Sequence, residues 1–265
     1  MPEPRAERPG PSDDERHALN RAVWDVVNEQ FSDDDALRRW NTSEIEWGLF
    51  GNTEAELQIL GEVSGLDVVE LGCGSAYFSA WLARRGARPV GVDLSPAQLH
   101  TARRCQETTG LTFPLIEASA EDVPLPDESA DLVISDYGAS VWCDPERWVS
   151  EAARLLKANG RLVFITHSRL VSLCVPEDGG VAGETLQRPQ AGTSLVQWTG
   201  GGIEFHPSHS EWIEVLTTNG FVVDALRELY AQPDAAAHRF YDIATPKWAM
   251  QWPVEDLWVA QLPRA

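Results

Sequence analysis

Residues 68–75 read Val-Val-Glu-Leu-Gly-Cys-Gly-Ser, and a second apolar run, Pro89-Val90-Gly91-Val92, ends at Asp93. The order is a buried strand, a turn too tight for side chains, a helix, a second buried strand and then an acid. Such alternation builds a parallel sheet covered by helices on both faces. Gly72 and Gly74 let the backbone approach a bound group closely, because no Cβ stands in the way. An acid about 20 residues past such a turn sits where a ribose diol is held in a doubly wound sheet. The pattern implies a ligand that contains a nucleoside.

Spacing narrows the choice of nucleoside. A dinucleotide fingerprint requires a third glycine five positions after the first, and Tyr77 occupies that place. What stands out instead is an acid two residues ahead of the first glycine, in Glu70-Leu71-Gly72-Cys73-Gly74. This resembles the first motif, E/D-x-G-x-G-x-G, of the Rossmann-like (class I) S-adenosylmethionine-dependent methyltransferases, with Ala76 in place of the last glycine. Two later stretches carry the resemblance further. Ala118-Ser119-Ala120-Glu121-Asp122-Val123-Pro124-Leu125-Pro126 is similar to the family's adenine-side loop, with Ser119 where an acid is usual. Pro126-Asp127-Glu128-Ser129-Ala130-Asp131 is similar to its turn into the fourth strand. The resemblance covers roughly residues 65–167, with weaker support over 209–262.

The remaining elements follow from periodicity and caps. An amphipathic helix is predicted from Asp13, with Leu19, Val23, Val26, Val27 and Phe31 on its apolar face. Residues 1–12 are charged and proline-rich and are expected to be disordered. Residues 32–52 read as an irregular connection, and Thr53 with Glu56 caps a short helix ending near Gly61 or Gly65. Helices are predicted over 76–85, from Ser95-Pro96, from Asp144-Pro145 to Gly160, and over 210–219. Strands are predicted at 68–71, 89–92, 111–116, 132–135, 162–165, 222–226 and 257–262, with Pro114 pushing the third to a sheet edge. Residues 194–198 and 203–205 read as a hairpin across Gly200-Gly201-Gly202. The expectation is an α/β, doubly wound, mostly parallel seven-stranded sheet forming one domain over 13–265. Within it, 13–64 is a helical lid, 65–167 the cofactor-binding core, 168–208 an inserted cap and 209–265 the rest of the sheet.

Charge and cysteine usage exclude several classes. A formal net charge of −20 over 265 residues argues against nucleic acid and anionic membrane surfaces, which need clustered Lys and Arg. The four cysteines suit neither a disulfide framework nor a zinc site. No leader or long apolar run is evident, so a cytoplasmic location is expected. Abundant Ala, Arg and Pro fit a GC-rich bacterial coding bias.

The resemblance implies S-adenosylmethionine as cofactor, with no metal, and methyl transfer by in-line displacement to an O, N or C atom of a small molecule. It implies a cofactor site at Glu70, Gly72, Cys73, Gly74, Asp93, Leu94, Ala120, Glu121, Asp136 and Tyr137. Trp47, beside Gly48, is the best candidate among the tryptophans for the pocket wall. At the base of strand four, Gly138 and Ala139 stand where methyltransferases of nucleic-acid bases carry an N/D-P-P-Y/F run. That absence agrees with the charge in pointing to a small, aromatic or natural-product-like acceptor. Candidate catalytic residues are His167, directly after strand five, Tyr137 and His206; His209 is a further possible base, because histidine titrates near neutrality. Each histidine could equally serve packing or solvent contacts. The protein is expected to work as a monomer or homodimer with a small-molecule methyl acceptor as its partner. Two rival readings stay open, a non-catalytic S-adenosylmethionine-binding protein and an NAD-dependent oxidoreductase.

Overall fold

The computed structural model describes residues 12–30, 33–199, 202–237 and 243–263. Ser12 opens the first helix, α1 (Asp13–Asn28), through a reciprocal capping box with Glu15. Ser12, expected to be disordered, is thus part of the helix start; the rest of that expectation, residues 1–11, lies outside the described set, as does Phe31. The inner face of α1 is polar, contrary to expectation: Arg16 and Asn20 are buried, while Leu19 and Val26 are exposed. Arg16 is drawn inward by Glu121, at 2.7 and 3.0 Å. Asn20 brackets Ile203, accepting from its N–H and donating to its carbonyl.

Residues 33–52 are more ordered than their sequence suggests. They contain α2 (Asp33–Asn41) and most of a two-stranded hairpin, β1 (Glu46–Trp47) with β2 (Asn52–Thr53). Thr53 caps α3 (Glu54–Leu57) as predicted, but Gln58 ends the helix in the left-handed region, before either candidate glycine.

The α/β part follows in order: β3 (Asp67–Leu71), α4 (Tyr77–Arg84), β4 (Arg88–Asp93), α5 (Pro96–Thr109) and β5 (Leu115–Glu117). Next come β6 (Ala130–Asp136), α6 (Ala139–Trp142), α7 (Pro145–Leu155) and β7 (Leu156–His167). Helix α7 stops at Leu155, not Gly160, because β7 is longer than its apolar run and begins at Leu156. Beyond it lie α8 (Arg169–Cys174), the hairpin β8 (Leu195–Gln197) and β9 (Ile203–Phe205), then α9 (His209–Thr218). The chain closes with β10 (Val222–Leu229), α10 (Pro246–Ala249) and β11 (Glu255–Gln261).

Seven strands form one sheet in the order β10-β11-β7-β6-β3-β4-β5. Strands β3 to β7 are parallel, and β11 runs against both of its neighbours. Strand β5, after Pro114, lies at the edge as expected. Alternation splits the core in two. Leu162 and Phe164 pack with Trp148 and Trp212 on one face, while Val163 and Ile165 pack with Phe78 and Trp81 on the other. The strand order reverses beside β3, so the crevice outside the carboxyl ends of β4, β3 and β6 is where a ligand binds in such a sheet.

Candidate active site

A cavity of about 590 Å³ opens at those strand ends. Its floor comes from the turns after β3, β4, β5, β6 and β7. Helices α1 and α2 roof it with His17, Asn20, Arg21, Trp24 and Arg39. The size lies within the usual range for small-molecule sites.

The two glycines of the turn serve different ends. Gly74, at φ +53°, donates its N–H to Asp93 Oδ2 at 2.8 Å, and a Cβ there would find only the Gln98 side chain at 3.5 Å. Gly72, at φ +75°, has the backbone of Gly138 and Ala139 against it, with Gly138 Cα 2.5 Å from where a Cβ would stand. Gly72 thus admits the turn after β6, while Gly74 faces the cavity. Asp93 also accepts from Ser95 N at 2.8 Å. Burial pushes its carboxyl above the ordinary value, and the backbone donors only partly offset that.

Glu70 lines the cavity floor, with its side chain bound to the start of α4. It accepts from Ser79 N at 2.9 Å and from the Ser79 hydroxyl, satisfying the first turn of α4. Ala76 begins that helix without a side-chain cap, so Glu70 supplies one from the preceding strand. Cys73 is buried and its Sγ packs toward Gly91. Leu94, Ala118, Ser119 and Ala120 line the cavity beside Asp93. Glu121 does not line it: its side chain is held by Arg16, by His17 at 3.1 Å and by Asp144 N at 2.8 Å. Its N–H donates to Ser119 Oγ at 3.2 Å.

Asp136 and Tyr137 stand where expected, at the end of β6. Asp136 Oδ2 accepts from Tyr77 Oη at 3.0 Å, while Oδ1 is buried with no partner. Burial lifts its carboxyl to about 6, although Arg39 and the Tyr77 hydroxyl pull it down. The Arg39 guanidinium lies 4.6 Å from the centre of the Tyr77 ring. Tyr137 donates its hydroxyl to Glu255 Oε1 at 2.7 Å, and its ring centre lies 4.7 Å from that of His167. His167 lines the cavity with Nδ1 unpartnered, and burial drives its basicity down to about 4.

Besides Glu121, three expected residues fall elsewhere. Trp47 is wholly buried in the core against Phe78, with its indole N–H on Glu54 Oε2 at 2.8 Å; its neighbours Gly48 and Leu49 reach the cavity instead. His206 is buried behind the wall, bound to Ser172 and Glu204. His209 pairs with Asp256 of β11 at 2.8 Å and does not line the cavity. Arg39, Tyr77, Trp24 and Glu204 line the cavity without having been singled out in the sequence. Tyr77 was in view, but only as an obstacle to a dinucleotide.

Two buried acids give the region a measurable pH response. Glu70 and Glu255 are each raised by burial to about 8, Glu255 against the hydrogen bonds of Tyr137 and Leu49 N. Such carboxyls stay neutral in the fold while the unfolded chain ionises near the ordinary value of 4.5. Stability therefore falls as pH rises from about 4.5 towards about 8, by on the order of 1 kcal/mol per pH unit per group. Glu255→Gln cannot ionise and is expected to flatten one group's share of this decline. Urea unfolding at pH 5.5 and pH 8 (both within or near that window) reads it; parallel losses in both proteins would show that Glu255 carries no such penalty.

Comparison with known proteins bears directly on this geometry. Residues 69–164, which supply the cavity floor, match the methyltransferase domain family. Over that segment the chain is similar to methyltransferase domains. A demethylmenaquinone methyltransferase of Tropheryma whipplei (strain Twist) is 34% identical over 115 residues, which is 43% of this chain and 47% of that protein. The chain thus spans about half the length of the curated relatives it matches. Among solved structures, an S-adenosylmethionine-dependent methyltransferase from Mesorhizobium loti superposes with a TM-score of 0.63 at 24% identity, covering 78% of this chain and 95% of that one. The 1,6-didemethyltoxoflavin-N1-methyltransferase of Burkholderia thailandensis, solved with 1,6-didemethyltoxoflavin and S-adenosylhomocysteine, gives 0.58 at 14% identity over 98% and 94%. The Rossmann-like methyltransferase fold therefore extends beyond the matched segment. Among the described residues of the domain and its flanks, no cluster of His, Cys, Asp or Glu could hold a metal ion, and no helix is long and apolar enough to cross a membrane.

Proposed function

We propose that this chain moves a methyl group from S-adenosylmethionine to a small-molecule acceptor by in-line displacement. The observation that carries the reading is Asp93, fixed by Gly74 N and Ser95 N at the switch point of the sheet and open to the cavity. A carboxylate has about four lone-pair sites; two are used here, and a ribose diol would take the others. Leu94, Ala118 and Ala120 then flank the adenine, with Glu121 steadying α1 over it rather than touching the cofactor. At the other end, Arg39 and the half-unpartnered Asp136 suit the carboxylate and ammonium of the methionine moiety. Their opposite charges match a zwitterion.

The acceptor would lie over the ends of β6 and β7, against Leu49, Tyr137, His167, Glu204, Ala236 and Ala237. Positioning a nucleophile in line with the methyl group supplies much of the acceleration in such a transfer, and the roof of α1 and α2 limits competing water. His167, neutral with a free Nδ1, is suited to accept a hydrogen bond that orients the acceptor. Residues 13–265 act as one unit in this reading, with 13–64 as lid. The hairpin β8–β9 contributes Glu204 from the inserted segment. Of the named relatives, one is a demethylmenaquinone methyltransferase and another holds 1,6-didemethyltoxoflavin, and the net charge of −20 disfavours nucleic acid. Four cysteines without disulfides suit a reducing, cytoplasmic setting.

A thermal-shift comparison tests the proposal. A ligand at about 100 times its Kd stabilises the fold by about 2.7 kcal/mol. S-adenosylhomocysteine is expected to raise Tm by several degrees, and NAD not at all. The reverse pattern would overturn the reading.

A further inference from the structure

One acid of the cavity wall comes from the inserted segment. Glu204 is the middle residue of β9, between Ile203 and Phe205, which are buried. Alternation along a strand turns it to the opposite face, and there it lines the cavity. Its Oε2 is 2.9 Å from His206 Nε2, and His206 Nδ1 is 3.0 Å from Ser172 Oγ. His206 and Ser172 are both buried, so this backing fixes the direction of the carboxylate. Among the described residues, Oε1 has no hydrogen-bond partner.

Burial raises the Glu204 carboxyl, but the hydrogen bond and electrostatic pull of His206 outweigh burial and hold it below its ordinary value, so it is ionised at neutral pH. His167 brings no charge to balance it, since burial drives that ring down to about 4. Among the described residues, no arginine or lysine lies within salt-bridge distance of Glu204; His206 is the contact it has. The three arginines of the cavity wall come from α1 and α2, and each faces another acid. Arg21 is 3.7 Å from Glu117, Arg39 is 3.2 Å from Glu46, and Arg38 pairs with Asp35. Arg169 and Arg188, nearer by, bind backbone carbonyls, among them those of His206 at 2.6 Å and Val175 at 2.7 Å.

We propose that the methyl acceptor is a cation: it carries a protonated amine that Glu204 Oε1 holds by an ion pair, and the methyl group goes to a different atom of the same molecule. The inference rests on the methyl-transfer reading of the cavity. Its last clause follows from valence, since a protonated nitrogen has no lone pair with which to attack the sulfonium methyl. Buried carboxylates are stable when they are both paired and hydrogen-bonded. An ammonium group, with three donors and no acceptor, supplies the charge and the hydrogen bond together, where a neutral hydroxyl supplies only the second. An acceptor with its own carboxylate at this place would meet like charge. The net charge of −20 adds a long-range attraction for cations.

Strand β9 falls outside residues 69–164, the segment similar to methyltransferase domains. The charge that selects the acceptor is therefore separate from the cavity floor, and changing it should leave the cofactor's place intact. His167 links the two regions: its ring centre is 4.7 Å from that of Tyr137 at the end of β6 and 5.7 Å from that of His206. The methionine moiety of the cofactor carries an ammonium of its own. Its proposed place is beside Asp136 and Arg39, and substitution of Glu204 tells the two ammonium groups apart.

Matched probes test the charge. Tyramine is a cation, tyrosol neutral and para-hydroxyphenylacetate an anion; tryptamine, tryptophol and indoleacetate repeat the series on a larger ring. Titration calorimetry of the full chain, saturated with S-adenosylhomocysteine at neutral pH, ranks them. In at least one series the amine is expected to bind at least about tenfold more tightly than the alcohol, and the acid more weakly than either. Glu204→Gln should remove that preference and keep the affinity for S-adenosylhomocysteine; Glu204→Asp, a second variant should glutamine disturb the hairpin, should keep part of it. No preference for the amine in either series, whether through equal binding or through none, overturns the inference and leaves the methyl-transfer reading standing. A preference unchanged in Glu204→Gln does the same. Loss of S-adenosylhomocysteine affinity in that variant would give the carboxylate to the cofactor's own ammonium, and the inference would fall. Failure of the wild type to bind S-adenosylhomocysteine overturns the reading itself.

Discussion

Asp93→Ala is expected to weaken S-adenosylhomocysteine binding by at least about 100-fold and to lower the Tm of the unliganded protein. Two separate losses combine. The carboxylate fixes the turn by accepting from Gly74 N and Ser95 N, both at 2.8 Å, and hydrogen bonds to a charged group contribute about 1.5–3 kcal/mol each. The same carboxylate is the proposed acceptor for two ribose hydroxyls, so binding loses charge-assisted contacts as well. Asp93→Asn separates the effects. An amide oxygen keeps one backbone donor satisfied, but the amide nitrogen cannot accept, so Asn should recover much of the Tm and little of the affinity. Calorimetry with S-adenosylhomocysteine and thermal melts of the three proteins measure both quantities. Affinity within a few-fold of wild type in the alanine variant would remove Asp93 from the site.

The half of the chain that reads clearly is the half whose signals are local. Ser95-Pro96 and Asp144-Pro145 are complete helix starts, and both helices begin there. The apolar runs at 68–71, 132–135 and 162–165 are strands because only a sheet buried on both faces accommodates them. What did not read clearly depends on partners far away in sequence. The buried face of α1 is Arg16 and Asn20, which no periodicity argument selects; they are buried because Glu121 and Ile203 meet them across the cavity mouth. Helix α2 buries Asp35, Ala36 and Trp40, too few apolar residues to show a period. Trp47 looks like a pocket residue from its glycine neighbour, yet the short hairpin β1–β2 turns its side chain into the core and leaves Leu49 at the rim.

The site shows the same division. Asp93, Gly74, Leu94, Ala120, Asp136 and Tyr137 all reach the cavity from strand ends, and strand ends are what the pattern of the sequence locates. Arg39 comes from α2 and Glu204 from the hairpin β8–β9, and the placement of both depends on tertiary contacts. Glu70 is the instructive intermediate. It stands two residues before Gly72, where the motif has its acid, and its carboxyl group caps α4 through Ser79, holding the helix N-terminus beneath the turn.

Gly72→Ala is expected to be the most destabilising single-methyl change in the cavity floor, costing about 3 kcal/mol or more and leaving little folded protein at 37 °C. A non-glycine residue at φ +75° already pays about 1–2 kcal/mol. The larger cost is steric. The new methyl would stand 2.5 Å from Gly138 Cα and 2.7 Å from Ala139 N, both backbone atoms that cannot rotate away. Gly138 is locked in the reciprocal sense, since a Cβ there would strike the carbonyls of Leu71 and Gly72. The two glycines let the turns after β3 and β6 touch backbone to backbone, and that contact sets the width of the crevice between them. Gly74→Ala is the informative contrast. It shares the positive φ but meets only the Gln98 side chain, at 3.5 Å, so its stability loss should stay near the 1–2 kcal/mol of the backbone alone. Its effect should appear in S-adenosylhomocysteine affinity, because Gly74 lines the cavity and its N–H holds Asp93. Denaturant unfolding of both variants measures the difference; equal losses at 72 and 74 would mean that the close backbone contact relaxes at no cost.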